Sequence, residues 1–78
     1  MTHFLKLNEK FVNDVRNGLK NFECRFNDRN YCVGDTICFT DLENKPLVLP
    51  HYKITYVLSY FEGLTKGFVI LGIKACSM

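Results

Sequence analysis

Five segments of the chain have the composition and spacing of strands, and the clearest of them alternate between hydrophobic and polar residues, as strands with one buried face do. These segments predict strands over residues 2–7, 21–26, 36–40, 52–61 and 68–75. The last segment is almost continuously apolar, so both of its faces are expected to be covered. One further segment follows helical spacing, and its apolar residues are Phe11, Val12, Val15 and Leu19. Asn8 is a suitable N-cap for this helix and Gly18 a suitable end, so the predicted order is β-α-β-β-β-β.

A single helix cannot cover both faces of a flat five-stranded sheet. A curled sheet buries more apolar surface and leaves fewer open edges. We therefore predict an α+β fold in which about five strands form a small, partly closed β-barrel that one main helix plugs. The length of 78 residues corresponds to a single domain over residues 1–78.

The net charge of +2 is too small to indicate nucleic-acid binding by itself, although four cations, Arg16, Lys20, Arg25 and Arg29, lie close together in the sequence. No apolar run has the roughly 20 residues that a membrane-spanning helix requires. The first residues also lack the pattern of a signal peptide. We therefore expect a cytoplasmic protein without a membrane partner.

The four cysteines, Cys24, Cys32, Cys38 and Cys76, are expected to be reduced thiols in that compartment. They form no C-x-x-C motif, and neither His3 nor His51 lies beside a cysteine at metal-ligand spacing. The phosphate-binding motif G-x-x-x-x-G-K-[ST] is also missing from the sequence. The sequence therefore predicts neither a metal site nor a cofactor.

Charges of both signs are concentrated where the predicted helix gives way to the second strand. Glu23 and Arg25 are two residues apart on that strand, so their side chains leave the same face. A bend after Gly18 would turn Lys20 towards them. Because such charges are costly to bury, the cluster indicates either a charged cleft or an ordinary ion pair on a solvated face.

The spacing G-x-K-x-x-E-x-R, formed here by Gly18, Lys20, Glu23 and Arg25, resembles the signature of the ASCH domain. ASCH domains belong to the PUA-like superfamily of small RNA-related β-barrels. The order of helix, motif strand, the Val33-Gly34-Asp35 turn and a terminal apolar strand extends this similarity over essentially the whole chain. The chain is similar to a small uncharacterised ASCH-like group from phages and bacteria. The resemblance implies a PUA-like barrel whose matched charged residues line a cleft for RNA or a nucleotide.

The loop after the motif adds three candidate residues for the same site. Arg29 would supply a further cation, Tyr31 a platform for stacking a base, and Asp28 a polar contact. In the alternative interpretation Asp28 only stabilises a turn, and Tyr31 packs over the end of the barrel.

Three tyrosines, Tyr52, Tyr56 and Tyr60, are spaced at the period of a strand and so share one predicted face. They are expected to lie in the core with their hydroxyl groups near the rim. The alternative is an aromatic surface on which bases stack.

The resemblance also implies an enzymatic alternative, because some ASCH proteins are amidohydrolases that act on acylated cytidine. In those proteins a lysine activates a threonine nucleophile with the help of a distant glutamate. Lys20 matches the lysine and Glu62 could supply the carboxylate, but Glu23 occupies the threonine position. Since a carboxylate that attacks an amide gives an anhydride, binding without catalysis is expected. A third possibility is a phage protein-interaction module that docks on a host protein.

Overall fold

The structure is a computed structural model and describes residues 1–76. Its five strands are β1 (Thr2–Lys6), β2 (Phe22–Phe26), β3 (Thr36–Thr40), β4 (Tyr52–Leu58) and β5 (Phe68–Ala75). A 3-10 turn (Glu9–Phe11) and a short helix, α1 (Val12–Arg16), connect β1 to β2. The predicted element order and the α+β class are therefore confirmed.

All five strands belong to one sheet with the order β1-β3-β4-β5-β2. β1 runs parallel to β3, while the other neighbouring strands are antiparallel. The sheet curls into a half-barrel, so its two edge strands, β1 and β2, border an open seam. This seam positions the candidate site.

The core lies on the concave side of the sheet. Its most deeply buried side chains are Leu5, Ile37, Ile54, Leu71, Val15 and Val69. α1 contributes Val15 and closes one end, where the Tyr52 hydroxyl donates a hydrogen bond to the Val15 carbonyl at 3.3 Å. Burial of the phenol raises the pKa of Tyr52.

The helical segment begins as predicted but is shorter than its apolar spacing suggests. The Asn8 side chain accepts a hydrogen bond from the Lys10 amide at 3.0 Å, as an N-cap does. Gly18 then adopts a φ of 74°, which reverses the chain and is a conformation that glycine accepts without strain. Leu19 follows this reversal and is 75% exposed, so its predicted place in the buried stripe is wrong.

β2 alternates as predicted, but its charged face is the buried one. Glu23 is only 4% exposed, whereas Phe22 and Phe26 are 47% and 56% exposed on the outer face. The interior tolerates the carboxylate because two cationic side chains bond to it. The outer face of the neighbouring strand β5 is also only half-covered, so the predicted burial of both faces of β5 is wrong.

A β-bulge between Ile54 and Tyr56 divides the predicted tyrosine row. Tyr52, before the bulge, is buried, whereas Tyr56, after it, is 62% exposed on the outer face. Tyr60 lies beyond the end of β4 and is 85% exposed. The row therefore belongs neither wholly to the core nor to one continuous surface, because the extra residue of a bulge changes the face that later side chains occupy.

Candidate functional site

The charged residues predicted from the motif form one hydrogen-bonded cluster around the Glu23 carboxylate. Lys20 Nζ donates to Glu23 Oε1 at 2.5 Å, and Arg25 Nε donates to Glu23 Oε2 at 3.0 Å. The reversal at Gly18 turns the Lys20 side chain back to the strand, where it also donates to the Phe22 carbonyl at 3.0 Å. The cluster contains two cations and one carboxylate, so its formal net charge is positive.

Arginine side chains bridge the open seam of the half-barrel. Arg25 Nη2 donates to the Lys6 carbonyl, and Arg29 Nη1 donates to the Phe4 carbonyl at 3.0 Å. Both carbonyls belong to β1, an edge strand whose polar backbone groups would otherwise lack a strand partner on that side. The two arginines therefore have a structural role that their sequence positions did not reveal.

A groove of about 550 Å³ follows the seam and contains the charged cluster. Lys20, Glu23 and Arg25 contribute to its wall, and the aromatic part of the lining consists of Phe11, Phe22, Phe26 and Phe68. Lys20 Nζ lies 5.1 Å from the centre of the Phe11 ring and 5.0 Å from that of Phe22. These distances are typical of cation–π contacts, so the ammonium group is held by aromatic faces as well as by Glu23.

The remaining predicted site residues lie outside this groove. Asp28 is exposed in the loop after β2, and Arg29 lies on the seam but not among the groove residues. Tyr31 is only 5% exposed and packs edge-on against His3 with ring centroids 4.8 Å apart. A ring that is buried in the core has no exposed face on which a base could stack. Glu62 is exposed in the β4–β5 connection and does not line the groove.

His3 and Asp35 form a second polar cluster, which was not predicted from the sequence. His3 is 3% exposed, and its Nε2 lies 2.8 Å from Asp35 Oδ2. The same carboxylate oxygen accepts a hydrogen bond from the Cys32 amide at 3.1 Å. The His3 hydrogen bond, supported by that amide, lowers the pKa of Asp35 from 3.8 to about 2. His3 occupies an inward-facing position in the alternation of β1, and this position was the signal in the sequence that could have revealed the cluster.

We expect the low pKa of Asp35 to make the fold sensitive to acid. Because the folded-state pKa of about 2 lies below the ordinary value of 3.8, the stabilisation is complete above about pH 4 and is lost as the pH falls towards 2. Asp35→Asn should lower the free energy of unfolding by about 1–2 kcal/mol at pH 7 and flatten its pH dependence between pH 4 and 2. Urea unfolding at several pH values measures both effects. The exposed Asp28→Asn is the control, and an equal pH dependence in the two variants would contradict the assignment.

Residues 1–76 include every cysteine of the chain. All four cysteines are free thiols, and burial raises the pKa of Cys38. Within those residues, no three His, Cys, Asp or Glu side chains are grouped in a way that could hold a metal ion. The helical residues of this region also form no segment with the length and apolar character needed to cross a membrane.

The fold and the groove define a small half-barrel domain with a charged cluster at its seam. The chain belongs to the family described as "Domain of unknown function (DUF3850)", whose model matches residues 2–73. The crystal structure of hypothetical protein PH0355 has a similar fold, with a TM-score of 0.67 over 97% of this chain and 100% of that chain. The two sequences are 20% identical, so this similarity concerns the fold alone. A comparison with curated proteins finds no match.

Proposed function

We propose that this domain binds single-stranded RNA or a nucleotide in the groove along the seam. The observation that carries the proposal is the convergence of Lys20 and Arg25 on a groove whose rim holds the exposed rings of Phe22 and Phe26. The volume of about 550 Å³ lies within the range of small-ligand sites. The resemblance of the motif to the ASCH signature supports the same ligand class.

The two cations retain donors for a ligand even though both contact Glu23. Lys20 bonds to two acceptors and has three donors, while Arg25 bonds to two acceptors and has five. Their positive charges suit a phosphate oxygen, and the planar guanidinium of Arg25 also suits the acceptor edge of a base. In this proposal Glu23 holds both cations in place and does not itself need to contact the ligand.

The aromatic residues favour unpaired bases over a duplex. Phe22 and Phe26 lie on the same face of β2, four residues apart, and present partly exposed rings at the rim of the groove. A base that is splayed out of a single strand can stack on such a ring, and each stacked base contributes about 1–3 kcal/mol. Bases inside a duplex are already stacked on one another and do not offer their faces.

Fluorescence anisotropy with a labelled single strand of about 10 nucleotides tests the proposal. We expect binding that weakens with salt, that is weaker for the corresponding duplex, and that falls about tenfold in Lys20→Ala because one phosphate contact is lost. The slope of log affinity against log salt should also become shallower by about 0.7. Lys66→Ala, which removes an exposed lysine outside the groove, should leave both quantities unchanged.

Melting curves of both lysine variants establish that the proteins compared are folded. Equal losses of affinity in Lys20→Ala and Lys66→Ala would indicate general charge attraction and contradict a site in the groove. A folded wild-type domain that binds neither single-stranded RNA nor mononucleotides at low salt would contradict the proposed function as a whole.

A further inference from the structure

The outer face of β2, β5 and β4 carries a continuous apolar surface, which we call the outer patch. Its members are Phe22, Cys24, Phe26, Phe68, Ile70, Tyr56 and Leu58. In the strand register, Cys24 and Phe26 on β2 lie opposite Ile70 and Phe68 on β5. Leu58 on β4 lies opposite the same Ile70, on the other side of β5. These pairings place the members of the patch side by side. No element within residues 1–76 covers this face, as the exposure of Phe26 and Tyr56 shows.

The exposed area of the outer patch is large for a domain of this size. Phe22, Phe26 and Tyr56 are 47%, 56% and 62% exposed, which corresponds to roughly 330 Å² at about 200 Å² per aromatic side chain. The half-buried members raise this to about 500 Å² at most. Contiguous apolar patches of this size usually mark interaction sites on soluble domains. Two such patches placed face to face would remove about 700–1,000 Å² from water, which lies below the size of stable interfaces and corresponds to a weak, transient one.

The members of the outer patch are uncharged, and Lys20 lies over the Phe22 ring at the edge that the patch shares with the groove. The rest of the patch, around Ile70, Tyr56 and Leu58, decides which partner fits it. A nucleic-acid strand requires cations beneath its phosphates, and away from the groove edge the lysines of this face, Lys53 and Lys74, lie opposite each other beyond the end of the patch. A second copy presents an equally uncharged surface, so the two patches meet without repulsion between like charges. An interface with two-fold symmetry uses the same patch on both subunits and therefore requires no further complementary surface.

We propose that two copies of this domain associate through their outer patches, sheet against sheet, with the two-fold axis near the pair formed by Cys24 and Ile70. Aligned packing of two twisted sheets is a common arrangement for apolar sheet faces. The proposal does not depend on the nucleotide-binding function. Four members of the outer patch, Phe22, Cys24, Phe26 and Phe68, also line the groove. The association is therefore tested without nucleic acid, so that each proposal can fail separately.

Sedimentation equilibrium with two matched tyrosine variants tests the association. We expect a monomer–dimer equilibrium with a dissociation constant of roughly 10–500 μM, in keeping with the small interface. Tyr56→Glu places a charge in the outer patch and should raise that constant about tenfold or more. Tyr60→Glu makes the same chemical change at a residue that is 85% exposed and lies outside the outer patch, so it should change the constant less than about twofold.

Thiol labelling supplies a second measurement within the same protein. Cys24 in the outer patch and Cys32 in the loop before β3 are both exposed in the single chain. On raising the protein concentration, labelling of Cys24 should slow while that of Cys32 stays constant. The proposal is overturned if the protein remains monomeric up to about 1 mM, if Tyr56→Glu and Tyr60→Glu have equal effects, or if the two cysteines react alike at every concentration.

Discussion

Replacing Glu23 by alanine is expected to lower the free energy of unfolding by about 3 kcal/mol. The Glu23 carboxylate is buried and joins Lys20 to Arg25, whose side chains are 16% and 25% exposed. Its removal leaves two partly buried cations facing each other without the anion that holds them. Loss of one member of such a cluster costs far more than loss of an exposed ion pair, which contributes about 0–1 kcal/mol. Urea unfolding at pH 7 measures the change directly.

Glu62→Ala is the matched control, because it removes the same side chain from an exposed position outside the groove. We expect it to change the stability by less than about 0.5 kcal/mol. Glu23→Gln should fall between the two, since the amide keeps the shape of the side chain but loses its charge. If the alanine variants at positions 23 and 62 were equally stable, the charged cluster would not be part of the folded framework.

Replacing Arg25 by alanine is expected to cost about 2 kcal/mol of unfolding free energy. Arg25 bonds at once to the buried Glu23 carboxylate and to the Lys6 carbonyl on β1. Its loss removes a charge-assisted hydrogen bond and one of the bridges across the seam. Arg25→Lys should recover only part of this loss, because a single ammonium group lacks the fork that reaches two acceptors in different directions.

Arg29→Ala provides the comparison for Arg25→Ala, since Arg29 bridges the same seam through the Phe4 carbonyl but is exposed and has no buried anionic partner. We expect it to cost about 0.5–1 kcal/mol in the same urea experiment. Hydrogen exchange of the β1 amides should accelerate in both variants. If Arg25→Ala lowers the free energy of unfolding no more than Arg29→Ala does, then the hydrogen bond from Arg25 to Glu23 contributes no stability beyond that of the seam contact.

Element boundaries were predicted well where the signal is local. β3 and β5 agree with the predicted residues 36–40 and 68–75, because each is bounded by glycine or turn residues that end the alternation. β4 was predicted to continue to Phe61 but ends at Leu58. The bulge within it depends on pairing with β5, and alternation in a single strand contains no information about its partner.

Half of the six predicted ligand-contacting residues lie in the groove, and the other half do not. Lys20, Glu23 and Arg25 come together because they lie within one turn and one strand, so local geometry is sufficient to gather them. Tyr31, by contrast, follows a loop whose path is determined by packing against His3, a residue on a different strand. Loop residues whose positions depend on distant contacts are therefore the ones that sequence spacing places poorly.

The sequence by itself determined the order of the elements, the reversal at Gly18 and the closeness of the charged side chains, because each follows from residues a few positions apart. Only the tertiary structure decided that β2 turns its charges inward and its phenylalanines outward. Alternation shows which residues share a face of the strand but not which of the two faces is buried. The buried face was decided by contacts with distant parts of the chain. Pairing with β5 places Glu23 beside the buried Leu71 and Arg25 beside the buried Val69, and Phe22 and Phe26 are left on the outer side.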